Sequence, residues 1–158
     1  MTQPQIGEFT HAESIVVAAP PARVYDVVSD VTRTGEWSPV CTGCTWDEGD
    51  GPRLGAHFTG RNEVPGRVWE TRSEVVAADP GRAFAWEVNG GFVRWGYELE
   101  PDGEGTRLTE TWDFREMGRE FFRQKYGADG EQQIAERVAA ARSGIPATLA
   151  AIKRVVEG

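Results

Sequence analysis

"RVWETRSEVVAADPGRAFAWEVNGGFVRWGYELEPDGEGTRLTETWD", residues 67–113, decides the fold. Its residues alternate. Trp69, Thr71, Ser73 and Val75 fall on one face of an extended chain, and Val68, Glu70, Arg72 and Glu74 on the other. Phe84, Trp86 and Val88 oppose Ala85 and Glu87; Val93, Trp95, Tyr97 and Leu99 oppose Arg94, Gly96, Glu98 and Glu100. Leu108, Glu110 and Trp112 oppose Arg107, Thr109, Thr111 and Asp113. Side chains on a strand project to opposite faces with period two, so one face of this sheet meets water and the other is covered. Turn signals recur about every ten residues, as in an antiparallel meander. They are Asp50-Gly-Pro, Val64-Pro-Gly66, Asp79-Pro-Gly81, Asn89-Gly-Gly91 and Asp102-Gly-Glu-Gly105.

Outward from the meander, residues 1–10 read as a loose tail. "AESIVVAA" (12–19) reads as a strand, and Pro20 and Pro21 suit a helix start, where the first amide has no partner in any case. Val24, Val27 and Val28 form the stripe of a short helix. A second helical turn covers Val31 to Trp37 and stops before Pro39. On the C-terminal side, 114–127 is a variable or partly helical connector. Residues 130–157 then carry a stripe of Ile134, Val138, Ala141, Ile145, Leu149, Ile152 and Val156. At about 100° per residue these stay within roughly 80° of arc. The stripe keeps its phase across Pro146, so one long helix kinked at Gly144–Pro146 is expected rather than two. This helix is what covers the sheet.

The chain has 158 residues, enough for one domain with a core. It carries 25 Asp and Glu against 17 scattered Lys and Arg, which argues against a nucleic-acid partner. No apolar run is long enough to span a bilayer, and the N-terminus has neither the basic nor the apolar region of a signal peptide. A cytoplasmic location without integral membrane association is expected, and a homodimer is allowed for. The outer sheet face is charged and has no apolar patch, which speaks against a protein-docking role.

Cys41-Thr-Gly-Cys44 is the only cysteine motif, and the chain has two Cys and two His. If the segment is extended, its ends lie roughly 10 Å apart, too far for a disulfide. Only a turn at Thr42-Gly43 permits closure. A redox motif would place the first Cys at a helix start, but a strand follows here. Zinc would need both His11 and His57, at unusual spacings and on different strands. The reading retained is packing, with small residues lining the place where the chain joins the sheet. No metal and no cofactor is expected. Phosphate-binding, metalloprotease and nucleophile-elbow motifs are absent.

The covered face is not an ordinary core. It mixes Trp46, Trp69, Trp86, Trp95 and Trp112 with Tyr97, Thr71, Ser73 and Glu110. Large amphipathic rings with a few convergent polar groups describe a small-molecule pocket, with Ile145 and Leu149 facing it from the helix. A tryptophan-rich core containing one paired Glu is the competing reading. Glu110, between Leu108 and Trp112 on the same face, is either paired or beside a wet cavity.

The element order is strand, two short helices, six antiparallel strands and a long helix. With "APPARVYDVVSDVTRTGEWSP" (19–39), "GAHFTGRN" (55–62), "RVWETRSEVVAADPGRAFAWEV" (67–88), "WGYELEPDGEGTRLTETW" (95–112) and "TLAAIKRVVE" (148–157), it resembles the START and pollen-allergen superfamily, SRPBCC. Within that superfamily it is most similar to bacterial polyketide cyclase/dehydrase-like proteins. The resemblance implies an α+β helix-grip fold over 11–158, a curved seven-stranded antiparallel sheet around the terminal helix with a cavity between them. It also implies a hydrophobic ligand such as a lipid or polyketide, with Trp37, Phe58, Asn62, Trp69, Trp95 and Tyr97 lining the pocket. Trp37 reads equally well as a staple between helix and sheet. Some members of the superfamily are cyclases or dehydratases. In that alternative Glu110 is the acid/base, its pKa raised by an apolar site, and Tyr97, Asn62 and Thr71 donate to a developing oxyanion.

Overall fold

A computed structural model describes residues 7–49 and 51–158. β1 (Thr10–Val17) is followed by α1 (Pro21–Val28) and a 3₁₀ turn (Val31–Glu36). Six strands follow: β2 (Cys41–Trp46), β3 (His57–Val64), β4 (Arg67–Asp79), β5 (Ala83–Val88), β6 (Val93–Asp102) and β7 (Gly105–Phe114). The chain ends in α2 (Glu116–Tyr126), one 3₁₀ turn and α3 (Gly130–Glu157). The strands form one antiparallel sheet in the order β1-β7-β6-β5-β4-β3-β2. The architecture is α+β and helix-grip-like.

The turns fall where the punctuation residues stand. A four-residue loop, 89–92, joins β5 to β6, and Asn89, Gly90 and Gly91 take the positive φ of 52°, 78° and 113° that its reversal needs. α1 and the 3₁₀ turn carry the chain from one edge of the sheet to the other. α1 buries Val24, Tyr25 and Val28, and Tyr25 meets Phe84 edge-on at 6.4 Å. Val27, expected on that stripe, is only half-buried.

β1 spans 10–17 rather than the expected 12–19 because its partner decides its length. Thr10 pairs with Asp113 and Val17 with Thr106, after which β7 turns back toward β6. The expected tail at 1–10 lies outside the described residues as far as residue 6. Phe9 already belongs to the fold: its carbonyl accepts from the Phe114 amide at 2.8 Å, and the Arg119 guanidinium lies 3.9 Å over its ring. The connector is largely helical. Gly118 of α2 comes so close to the Phe92 carbonyl that a Cβ would sit 2.6 Å from the oxygen.

α3 runs unbroken from 130 to 157 with Pro146 inside it on an exposed side, so the missing amide costs no buried partner. Ile134, Ala141, Ile145, Leu149, Ile152 and Val156 are buried along one stripe, and Val138 is half-buried. Each fully buried aliphatic chain contributes about 1.5–3 kcal/mol. The main contacts of α3 with the sheet are to β1, and then to β7. Its C-terminal turns are tied there: Lys153 Nζ donates to the Val16 carbonyl at 2.7 Å, and Glu157 accepts from the Ala18 amide at 2.8 Å. No helix among the described residues is long and apolar enough to cross a membrane.

Candidate functional site on the inner sheet face

Residues opposite one another in antiparallel strands share a face. One row across the sheet runs His11, Trp112, Trp95, Trp86 and Val75. The next runs Glu13, Glu110, Tyr97 and Phe84. Toward β2, Ser73 faces Phe58 and Phe58 faces Trp46. All belong to the face whose centre is buried: Phe84, Val75 and Leu108 are fully enclosed.

The rings make two strings. In one, Trp46 meets Phe58 at 5.5 Å, Phe58 meets Trp86 at 6.1 Å and Trp86 meets Tyr97 at 5.8 Å. In the other, Trp95 meets Trp112 at 6.4 Å, Trp112 meets Phe114 at 5.9 Å, and Phe114 meets Phe122 of α2 at 5.4 Å. The two strings differ from a closed core in one respect. Trp112, Tyr97, Phe58 and Trp37 are buried, yet Trp46, Trp69, Trp86 and Trp95 on the same face keep partial contact with solvent. α3 packs mainly on β1 and β7; on β4–β6 Val75, Phe84, Tyr97 and Leu99 are buried as well, and the partly exposed rings are Trp69, Trp86 and Trp95.

Glu110 and Tyr97 sit opposite each other at the centre, 4% and 3% exposed. Burial, and secondarily the Glu13 carboxylate, push the Glu110 carboxyl well above the usual carboxylate range. An ionised carboxylate there would cost several kcal/mol in lost hydration, so burial favours the protonated form. Its Oε1 has no hydrogen-bond partner among the described residues. The Tyr97 hydroxyl is likewise pushed up, by burial first and then by Glu110, while a hydrogen bond from the Trp37 indole works the other way. Trp37 therefore packs as a staple and also touches the central polar pair.

Asn62 Nδ2 donates to Thr71 Oγ1 at 3.2 Å, which places Asn62 and Thr71 together on β3 and β4. Thr71 is half-buried. Ile145 and Leu149 are enclosed in the α3–sheet core, at 1% and 2% exposure. Trp69 lies at the far end of β4, under the Arg67 guanidinium at 4.1 Å.

Sequence reasoning missed the groups around that end. Arg137 of α3 lies 5.0 Å over the Phe122 ring. Its pKa is lowered by burial first and then by the Arg67 charge. Neither arginine has a place in the hydrophobic pattern from which the inner face was read, and 114–127 was read only as a partly helical connector, so no sequence signal brought them together.

A recess of about 160 Å³ lies on β1, β7 and β6, against Thr10, His11, Ala12, Arg94, Thr111, Trp112 and Asp113. Ligand pockets usually enclose about 300–1,000 Å³. Among the described residues no group of three or more His, Cys, Asp or Glu converges as a metal site would require.

The family model described as "Polyketide cyclase / dehydrase and lipid transport" matches residues 8–157. No curated protein matches significantly. Among solved structures, the chain is 54% identical to the Polyketide_cyc-like protein Cgl2372 from Corynebacterium glutamicum, covering 97% of this chain and 94% of that one, with a TM-score of 0.72. Two more distant structures share the fold. Protein NE0264 from Nitrosomonas europaea has a TM-score of 0.71 at 15% identity, covering 97% of each chain. The Zhui aromatase/cyclase from Streptomyces sp. R1128 has a TM-score of 0.66 at 22% identity, covering 94% of this chain and 93% of that one. With nearly its whole length matched, the chain belongs to the polyketide cyclase/dehydrase and lipid-transport family of the SRPBCC superfamily.

Proposed function

We propose that the chain binds a small hydrophobic or aromatic ligand, of lipid or polyketide type, against the inner face of β4–β6. The observation that carries this reading is the partial exposure of Trp69, Trp86 and Trp95 beside the buried Phe84, Tyr97 and Trp112 of the same face. Exposing indoles in water costs free energy that a ligand laid against them would recover, about 25 cal/mol per Å² of apolar surface covered. Membership of a family named for lipid transport and polyketide cyclisation supports the same class of ligand. Titration with 1-anilinonaphthalene-8-sulfonate and with palmitate tests it. Tryptophan quenching together with a raised Tm is expected; unchanged emission and unchanged Tm with both probes would sink the reading.

A second reading, cyclase or dehydratase chemistry, has one observation in its favour. Glu110 carries an unpartnered buried oxygen opposite Tyr97. A protonated carboxyl of this kind can deliver a proton to a leaving hydroxyl, with the Tyr97 hydroxyl as a neighbouring donor. The aromatase/cyclase with the same fold makes a poly-β-keto substrate the first to assay. Retention of full turnover by Glu110→Gln would remove Glu110 from the chemistry.

A further inference from the structure

Residues three apart on a regular strand point to opposite faces. Cys41 and Cys44 do not, because β2 carries a bulge: Cys41 pairs with Asn62, but Gly43 already pairs with Arg61. The extra residue, Thr42, restores the phase and turns both thiols to one side. Their sulfurs are 3.2 Å apart. Two glycines hold the bulge. A Cβ on Gly35 of the 3₁₀ turn would sit 2.4 Å from the Thr42 carbonyl oxygen. A Cβ on Gly60 of β3 would sit 3.2 Å from Cys44 Sγ and 3.6 Å from Cys41 Sγ. The bulge is thus pressed from one side by backbone and left open beneath the thiols. β2 is an edge strand, and Cys41 is half-buried while Cys44 is buried.

We propose that Cys41 and Cys44 form an oxidation site that reacts with hydroperoxides and closes to an intramolecular disulfide, Cys41 attacking and Cys44 resolving. The inference is independent of the ligand reading above.

Closure needs the sulfurs to move from contact to about 2.05 Å, with the backbone already bent toward each other. The hydrogen bond between the two sulfurs lowers the Cys41 pKa to about 7, outweighing its partial burial, which favours Cys41 as the attacking thiolate. The Cys44 thiol, donating that bond and buried, is pushed up and stays protonated until Cys41 has reacted. The Cys41 thiolate attacks one peroxide oxygen; the O–O bond breaks and hydroxide, or an alkoxide, leaves and takes a proton from water. Cys44 then attacks the sulfur of the resulting Cys41 sulfenic acid. The S–S bond forms, the S–O bond breaks, and water departs with the Cys44 proton. Two electrons pass from the dithiol to the peroxide. Zinc does not compete for the pair, since no third ligand converges there among the described residues.

Intact-mass spectrometry of the reduced wild-type protein tests this. Equimolar hydrogen peroxide is added under native conditions, followed by N-ethylmaleimide. The expected product is a monomer about 2 Da lighter that takes no maleimide, where the untreated protein takes one on each of its two cysteines. Cys44→Ala should accumulate a Cys41 sulfenic acid trapped by dimedone, and Cys41→Ala should stay unmodified at the same dose. At pH 7 the wild-type Cys41 should alkylate roughly threefold faster than in Cys44→Ala, whose thiol returns to the ordinary range. Two free thiols surviving a dose that pairs them in urea-unfolded protein would overturn the proposal, as would a disulfide-linked dimer. If a variant fails to fold, the wild-type mass result decides alone.

Discussion

The two halves of the inner sheet face share one pattern and meet different fates. On β1 and β7, under α3, Val17, Leu108 and Trp112 are sealed against Ile145, Leu149 and Ile152. On β4–β6, the same alternation buries Val75, Phe84 and Tyr97 but leaves Trp69, Trp86 and Trp95 in partial contact with solvent. Period two assigns a side chain to a face, but whether that face is covered depends on where the helix lies. The sealed half supplies stability. The partly exposed indoles leave apolar ring surface in contact with water.

The largest effect that tests this division is expected in the sealed half. Ile152→Ala, at a fully enclosed position, should cost about 2–5 kcal/mol in urea melts and leave probe affinity per folded molecule unchanged. An equal loss of affinity would mean that the two halves do not separate.

A pH effect at the centre of the inner face comes next. Glu110 has a raised folded pKa, so the folded state keeps a proton that the unfolded chain releases above about 4.5. The stability held at low pH therefore falls as pH rises from there through the folded pKa. Glu110→Gln, neutral throughout, should flatten that decline and gain on the wild type as pH rises. Parallel curves of Tm against pH for the two proteins would show that the carboxyl has a partner in solution.

Trp86→Ala reverses the signature of Ile152→Ala. The half-exposed ring should cost about 1–2 kcal/mol of stability, below the 3–5 kcal/mol of an enclosed Trp, while 1-anilinonaphthalene-8-sulfonate binding drops about tenfold. A large loss of stability with intact binding would assign Trp86 to the core. The smallest effect is expected at the far end: Arg67→Ala removes a guanidinium over Trp69 and should cost about 0.5 kcal/mol. A loss several times larger would show that the open end is packed as tightly as the sealed one.

Much of this was readable from residue order. The charged outer positions between Arg67 and Asp113 announce a one-sided sheet, and the phase kept from Ile134 to Val156 announces one helix across Pro146. Tyr25 was missed because valines alone were counted on α1, and 114–127 was read only as partly helical because the polar face of α2 hides Phe122. The rows Trp86–Trp95–Trp112 and Glu110–Tyr97 needed the register of neighbouring strands, which turn residues imply but only pairing settles.

Sequence alone determined which side chains share a face, because backbone geometry makes that a matter of counting by two or by 3.6. Tertiary structure alone decided which of those faces are sealed and where counting fails. At Thr42 one extra residue, held between Gly35 and Gly60, brings Cys41 and Cys44 to 3.2 Å. A bulge is stabilised by the strand and turn packed around it, and those neighbours lie far away along the chain.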